Sequence, residues 1–280
     1  MLRRAKPLLG TFVEVSVIAP TPEAEWRAAA AAFEAVADVQ RLMSFHDAAS
    51  DLSRINRHAH ERAVEVDPRT HTVLERALWL SRASNGVFDC SVGARLLALG
   101  MLPRAAGVRP DAAATWRDVT LLPGSRVRFR RALALDLGGI AKGHAVDQAV
   151  DAMAAHGAIA GCVNAGGDLR VFGDRDWPVA LRRPDAPGEF VALPPLRNRA
   201  LATTADTFAP GGAIVDPASG APLRRPRSVS VLAPACMDAD AMTKVVWILD
   251  RPPLRLLEKL DASAFVLGPT TRAKDAEAAA

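Results

Sequence analysis

Asp136, Gly138, Gly139, Lys142 and Gly143 stand close together in Leu133-Ala-Leu-Asp-Leu-Gly-Gly-Ile-Ala-Lys-Gly143. Leu133, Leu135 and Leu137 alternate as in a buried strand, and Ala145, Val146, Ala149, Val150 and Met153 then recur at helical spacing. Glycines at such a turn let the backbone approach a ligand closely. The helix that follows aims free N–H groups and a positive dipole end outward, where a phosphate is welcome. Lys142 adds a mobile cation, and Asp136 adds a carboxylate at the strand end. The spacing matches neither the Gly-x-x-x-x-Gly-Lys-Ser/Thr loop nor Gly-x-Gly-x-x-Gly, so neither mechanism transfers. Two readings stand: a site for a phosphorylated ligand, or a tight connection.

Asp240 is the second chemical feature. It lies in Asp238-Ala-Asp-Ala-Met-Thr-Lys244, on a helix otherwise packed through Met242, Val245, Val246 and Ile248. Such an acid either faces solvent or serves a hard metal ion. Mg2+ uses one or two carboxylates and completes its shell with backbone oxygen, water and phosphate. Asp240 with a carbonyl of the glycine loop suits that pattern.

The elements that must position these residues follow from the patterns along the chain. Thr11 to Ile18 alternates as a strand, and Thr21-Pro22-Glu23 caps an Ala-rich helix running to about Leu42. Met43 to Asn56 reads as a polar, turn-rich segment, Arg69 to Ser84 as a helix ended by Asn85-Gly86, and Pro103 to Arg131 as a connection with a hairpin. Strands are expected at Ala160–Asn164, Leu169–Phe172, Trp177–Leu181, Ala200–Thr204, Ser228–Ala233 and Ala264–Leu267, with a helix over Cys236–Leu249. Pro184 to Arg199 reads as a loop, and Ile214 to Gly220 as a strand running into a turn. The mixed order favours α+β over a doubly wound sheet. Residues 1–269 read as one domain and 270–280 as a disordered tail.

Composition narrows the function classes. The chain has 280 residues, 50% of them hydrophobic and 24% charged, with net charge +4. Aromatics are 5% and Tyr is absent, so stacking platforms for nucleic acid are scarce and none is expected as a partner. Cys90, Cys162 and Cys236 lie far apart without zinc spacing and read as buried thiols. No run approaches the ~18 apolar residues of a membrane span, and the N-terminus has no apolar core of signal-peptide length.

Six ordered segments share a family pattern. They are Met43-Ser…Leu52-Ser-Arg-Ile-Asn56, Gly86-Val-Phe-Asp89 with Val92-Gly93, and Asp136-Leu-Gly-Gly-Ile-Ala-Lys-Gly143 with Ala145-Val-Asp147. The others are Val163-Asn-Ala-Gly-Gly-Asp168, Ile214-Val-Asp-Pro217 with Gly220, and Ala239-Asp-Ala241. Together they resemble the ApbE family, the FAD:protein FMN transferases, over nearly the whole chain. The resemblance implies an α+β fold of mixed sheets and helices with a flavin cleft. It also implies splitting of FAD, transfer of FMN to a Thr or Ser hydroxyl of a target flavoprotein, release of AMP, and Mg2+ beside the pyrophosphate.

Carried over, the resemblance makes Leu9, His46, Val87, Phe88, Asp89, Asp136, Lys142, Asn164 and Ile214 flavin contacts. Asp240, Lys142 and His46 become catalytic candidates, and the Gly139 carbonyl with Asp240 becomes the Mg2+ site. Periplasmic location is the family habit, whereas the chain alone reads as cytoplasmic. Departures are Leu9 for the usual Met, His46 for Tyr, Thr204-Ala205-Asp206 for a Ser-Gly-Asp-like turn, Ala213 for His, and Lys244 for a metal-binding Thr. Two rival readings keep the ligand and change the outcome: a Mg2+-dependent FAD pyrophosphatase, and a non-catalytic flavin-binding protein.

Overall fold

The computed structural model describes residues 1–103, 109–186, 188–205 and 214–268. Along the chain come β1 (Leu2–Leu8), β2 (Thr11–Ile18), α1 (Pro22–Met43), α2 (Asp51–His58), β3 (Val64–Glu65), α3 (Pro68–Ala83) and α4 (Gly93–Ala98). Next are β4 (Val119–Leu122), β5 (Arg126–Phe129), α5 (Ala141–Ala155), β6 (Ala160–Ala165), β7 (Asp168–Gly173), β8 (Ala180–Arg182) and β9 (Phe190–Ala192). The last are β10 (Ala200–Ala205), β11 (Ser228–Ala233), α6 (Cys236–Leu249), α7 (Leu254–Lys259) and β12 (Ser263–Leu267). They form two compact units, one of Met1–Asp38, Lys142–Pro210 and Arg224–Ala280, the other of Val39–Ala141 and Gly211–Leu223.

The first unit is built on a seven-stranded sheet in the order β1-β2-β6-β7-β10-β11-β12 among the described residues. Its neighbouring strands run antiparallel. Alternation sends Leu201, Phe265 and Leu267 to one face, where they bury against Val171, Trp177, Leu181, Val191 and Leu196. The opposite side chains of β10 and β11 include Ala202, Val229, Val231 and Ala233, all buried on the side that α6 covers. Small residues there let the helix approach closely. Trp177 makes only an isolated bridge to Leu196, and the expected loop after Pro184 contains β9, paired with β8.

The second unit holds α2, α3, α4 and the small sheet β3-β5-β4. Asp67 caps α3 by accepting from Arg69 N–H, and the helix ends where Asn85 and Gly86 both take positive φ. The expected polar turn over Met43–Asn56 instead contains α2, capped by Ser50, which accepts from Ser53 N–H at 3.0 Å.

The Leu133–Leu137 segment corrects a sequence expectation. It is buried and alternates, yet it joins no sheet. The Asn56 side chain stands where a neighbouring strand would be: its Nδ2 donates to Leu135 O at 2.9 Å, and its Oδ1 accepts from Leu135 N–H at 2.8 Å. Asp136 N–H donates to Cys90 O at 2.8 Å. One carboxamide and one carbonyl therefore satisfy backbone that a ladder would otherwise pair. Asp136 sits on an extended connector, not at a strand end.

Candidate active site

Four charged side chains meet in the first unit. Asp168 opens β7 directly after the Ala165-Gly166-Gly167 turn and is 1% exposed; Asp240, on α6, is 0% exposed. Lys142, in the first turn of α5, pairs through Nζ with Asp168 Oδ2. Lys244, one turn on from Asp240 in α6, pairs through Nζ with Asp240 Oδ1. The remaining oxygens are also satisfied: Asp240 Oδ2 accepts from Gly143 N–H at 3.0 Å, and Asp168 Oδ1 from Thr203 N–H at 3.3 Å.

The electrostatics follow from this pairing. Burial opposes the Asp240 charge, but the Lys244 and Lys142 ammoniums and the Gly143 N–H hold its carboxyl below the ordinary range. Asp168 is pushed up by burial and by the Asp240 charge, with Lys142 pulling the other way. Burial also works against the Lys142 charge, and the two carboxylates outweigh it and raise its pKa. The two carboxylates thus favour the charged form of Lys142, which is paired with Asp168 while its side chain keeps 33% exposure.

The way α5 meets α6 explains the glycine at position 143. A Cβ there would lie 2.3 Å from Cys236 O and 2.8 Å from Asp240 Cβ, so only glycine allows this approach. One turn further along α5, Asp147 reaches the start of α6, where the N-cap residue Ala235 supplies no side-chain cap. Its Oδ1 accepts from Cys236 N–H at 2.9 Å and its Oδ2 from Met237 N–H at 2.8 Å, and Arg170 pairs with it at 3.0 Å. The neighbouring helix supplies the missing cap. Burial pushes the Asp147 carboxyl up to about 6 against these bonds.

Two hairpin turns in this unit carry other candidates. Leu9 and Gly10 join β1 to β2, both with positive φ, and Leu9 at φ 55° is in a region that disfavours a bulky side chain. Asn164 holds the β6–β7 turn, its Oδ1 accepting from Gly167 N–H at 2.9 Å. Gly166 in that turn passes Thr11 so closely that a Cβ would come within 2.7 Å of Thr11 Oγ1.

The second unit holds the remaining candidates. Asp136 Oδ2 accepts from Gly138 N–H at 3.2 Å; burial raises its carboxyl, with the His46 charge acting the other way. His46 is exposed, and its N–H donates to Ser44 Oγ at 3.1 Å. Phe88 is buried, with its N–H on Ser84 Oγ at 2.9 Å. Val87 beside it is partly buried, and Asp89 accepts from Ser91 N–H and Oγ at 2.7 and 2.6 Å. Gly139 is partly buried in the turn after Asp136, while Ile214 is buried, its O accepting from Leu223 N–H at 2.8 Å. In this turn Ile140 and Ala141 N–H both donate to Leu137 O at 3.0 and 2.8 Å. Of the N–H groups expected to point outward, those of Gly138, Ile140 and Ala141 are used locally and that of Gly143 on Asp240.

The ApbE family model matches residues 9–266. The chain belongs to the ApbE family. A Treponema pallidum protein named FAD:protein FMN transferase is 30% identical over 88% of this chain and 78% of its own length. The ApbE protein of Thermotoga maritima superposes with TM-score 0.79 at 26% identity, covering 95% of this chain and 93% of that one. The flavin transferase ApbE of Vibrio cholerae, at 24% identity and TM-score 0.78 over 95% of this chain and 92% of that one, shares the fold. The α+β architecture with antiparallel sheets is that of ApbE structures.

The donor set does not suit Mg2+ at Asp240. Both of its oxygens are engaged, and the Thr243 hydroxyl on the same helix donates to Asp240 O at 2.7 Å and meets Thr204 Oγ1 at 2.8 Å. No group of three or more His, Cys, Asp or Glu is placed to hold a metal among the described residues. Asp206, the last residue of the Thr204-Ala205-Asp206 turn, and Ala213 lie outside the described residues, as does the 270–280 tail.

Lys142, Asp168 and Asp240 were visible as motif residues, but the pairing of lysines with carboxylates was not. The Asp147 cap on α6 is not among the expectations from sequence. Its signal was present, since it shares the apolar α5 face of Gly143 and Val150 at i+4 and i+7 spacing. The three cysteines are unbridged; Cys90 and Cys236 are buried and Cys162 partly so, and burial pushes the Cys162 thiol up to about 12.

Proposed function

We propose that this chain is an FAD:protein FMN transferase, moving FMN from FAD to a Thr or Ser hydroxyl of a target flavoprotein. The observation that carries the reading is the Lys142–Asp168 pair beside Asp240, in a chain whose family match spans residues 9–266. The hydroxyl oxygen attacks the phosphorus of the FMN half, the bond from that phosphorus to the bridging oxygen breaks, and AMP leaves with the bridging oxygen. The hydroxyl proton passes to a base or to water. Charge builds on phosphate oxygens during this exchange, and a fixed ammonium stabilises it. Lys142 supplies that ammonium, because Asp168 and Asp240 keep it charged.

Leu9 and Asn164, at two tight turns of the first unit, are assigned to the flavin. His46, Val87, Phe88, Asp89, Asp136 and Ile214 are the candidates of the second. No step is assigned to Mg2+, because the Asp240 oxygens are already engaged.

The test mixes the protein, FAD and a flavoprotein acceptor with an Asp-Gly-x-Thr-type target sequence. Intact mass should show one FMN on the acceptor, with an equal yield of AMP. Lys142→Met should abolish both. AMP with free FMN and an unlabelled acceptor means pyrophosphatase action, and bound FAD without AMP means a binding protein.

A further inference from the structure

Asp240 is the most deeply buried carboxylate among the described residues of the first unit, and its charge is already balanced. Lys244 covers Oδ1, the Gly143 N–H covers Oδ2, and the Asp240 side chain has 0% exposure. Adding Asp168 and Lys142 gives two carboxylates and two ammoniums, a cluster with no net charge. A divalent ion is drawn to excess negative charge, and Mg2+ sheds its water reluctantly. Here it would have to displace an ammonium from a buried carboxylate. The hydroxyl that could join it, Thr243 Oγ1, is turned to the helix backbone and to Thr204.

We infer that Lys244 is a built-in counter-ion that takes the place of a divalent cation at Asp240. This chain therefore supplies the positive charge at that carboxylate from its own α6. The Lys244 side chain keeps 17% exposure, with its ammonium anchored on Asp240. An ammonium acts on phosphate as a point charge and needs no coordination geometry. The inference rests on the flavin-transfer reading for its use in turnover, but not for its metal chemistry.

The experiment is calorimetric titration of MgCl2 into the apoprotein, its Lys244→Thr variant and its Asp240→Asn variant, with AMP release from FAD followed in EDTA and in Mg2+. Removing the ammonium leaves one uncompensated carboxylate, and threonine places a hard oxygen one helical turn from it. Wild type should give no Mg2+ heat, and AMP release should agree in EDTA and Mg2+ within about twofold. Lys244→Thr should bind one Mg2+, and its AMP release should become dependent on Mg2+ by about tenfold or more. One Mg2+ bound by wild type and lost in Asp240→Asn would overturn the inference. So would absence of Mg2+ binding in both wild type and Lys244→Thr. If neither protein releases AMP, the flavin reading fails while the titrations still decide the role of Lys244.

Discussion

Carboxylates serve different purposes in the two units. In the second, Asp47, Asp67, Asp89, Asp111, Asp136 and Asp216 each accept the backbone N–H two residues ahead. These are local turn formers, and such turns can be read from neighbouring residues alone. In the first, Asp147, Asp168 and Asp240 reach across the sequence to α6, α5 and β10. Removing a carboxylate from water is costly even when it is paired, so buried ion pairs are weak evidence for stability. In the second unit these six acids set chain direction, while the buried Asp51 reaches further, accepting from Asp67 N–H at 2.8 Å and Thr70 Oγ1 at 3.0 Å. The first concentrates charge beside the glycine that lets α5 meet α6.

The largest expected effect breaks the charge balance on the first unit's side. Lys142→Met leaves Asp168 buried without its cation, and losing one partner of such a pair costs about 4 kcal/mol. Chemical denaturation should show this as a lower midpoint with unchanged slope. Lys142→Met combined with Asp168→Leu should recover more than half of the loss, because no lone charge remains. If the double variant is no more stable than the single, the pair is not what holds this region.

On the second unit's side the corresponding cut is Asn56→Ala. It removes one neutral side chain but leaves both Leu135 backbone groups buried and unpaired. The expected loss is about 3 kcal/mol, with faster exchange of the Leu135 amide as the local readout. Wild-type exchange at Leu135 would show that the carboxamide is not its partner.

A third test uses pH. The Asp147 carboxyl is raised from 3.8 to about 6, so between these values the folded state holds a proton that the unfolded state has released. Stability from this group is therefore greatest below pH ~4 and falls as pH rises to about 6, by about 2–3 kcal/mol in all. Asp147→Asn cannot titrate, so the difference in stability between wild type and variant should slope through that window and be flat above it. A flat difference throughout would remove Asp147 from the pH response.

How much of this was legible depends on whether the relevant partner was local. β11 and α6 take their expected bounds because alternation and helical spacing are both carried by buried residues. β1 carries no strand signal in the sequence, because its central residues are exposed on both faces and leave no alternation. α2 looks like turns in the sequence because its buried residues include Asp51, Ser53 and Asn56. At Leu133–Leu137 the apolar alternation goes with burial, but it does not say what the backbone bonds to. Asn56, 79 residues away, supplies that. The candidate site divides similarly. Its residue types were visible in the motifs, whereas the matching of Lys142 to Asp168 is a property of the folded sheet. Lys244 was identified as a departure, and the pairing with Asp240 gives that departure a physical consequence.

Thr204→Val is the smallest of these changes and the sharpest on position. Thr243 Oγ1 donates to Asp240 O, so the Thr204 hydroxyl is the donor in the contact between the two threonines, which ties β10 to the α6 turn carrying Asp240. Valine keeps the shape and removes that donor. Thr243 keeps its own acceptor, so no buried donor is stranded and the stability loss should be about 1 kcal/mol. If the tie also fixes the distance from Asp240 to Lys142, AMP release should fall further than stability does, with FAD affinity nearly unchanged. A loss confined to stability would mean that α6 is positioned by Gly143 and Asp147 alone. The long-range carboxylates would then account for the placement of the helix without help from the hydroxyls behind it.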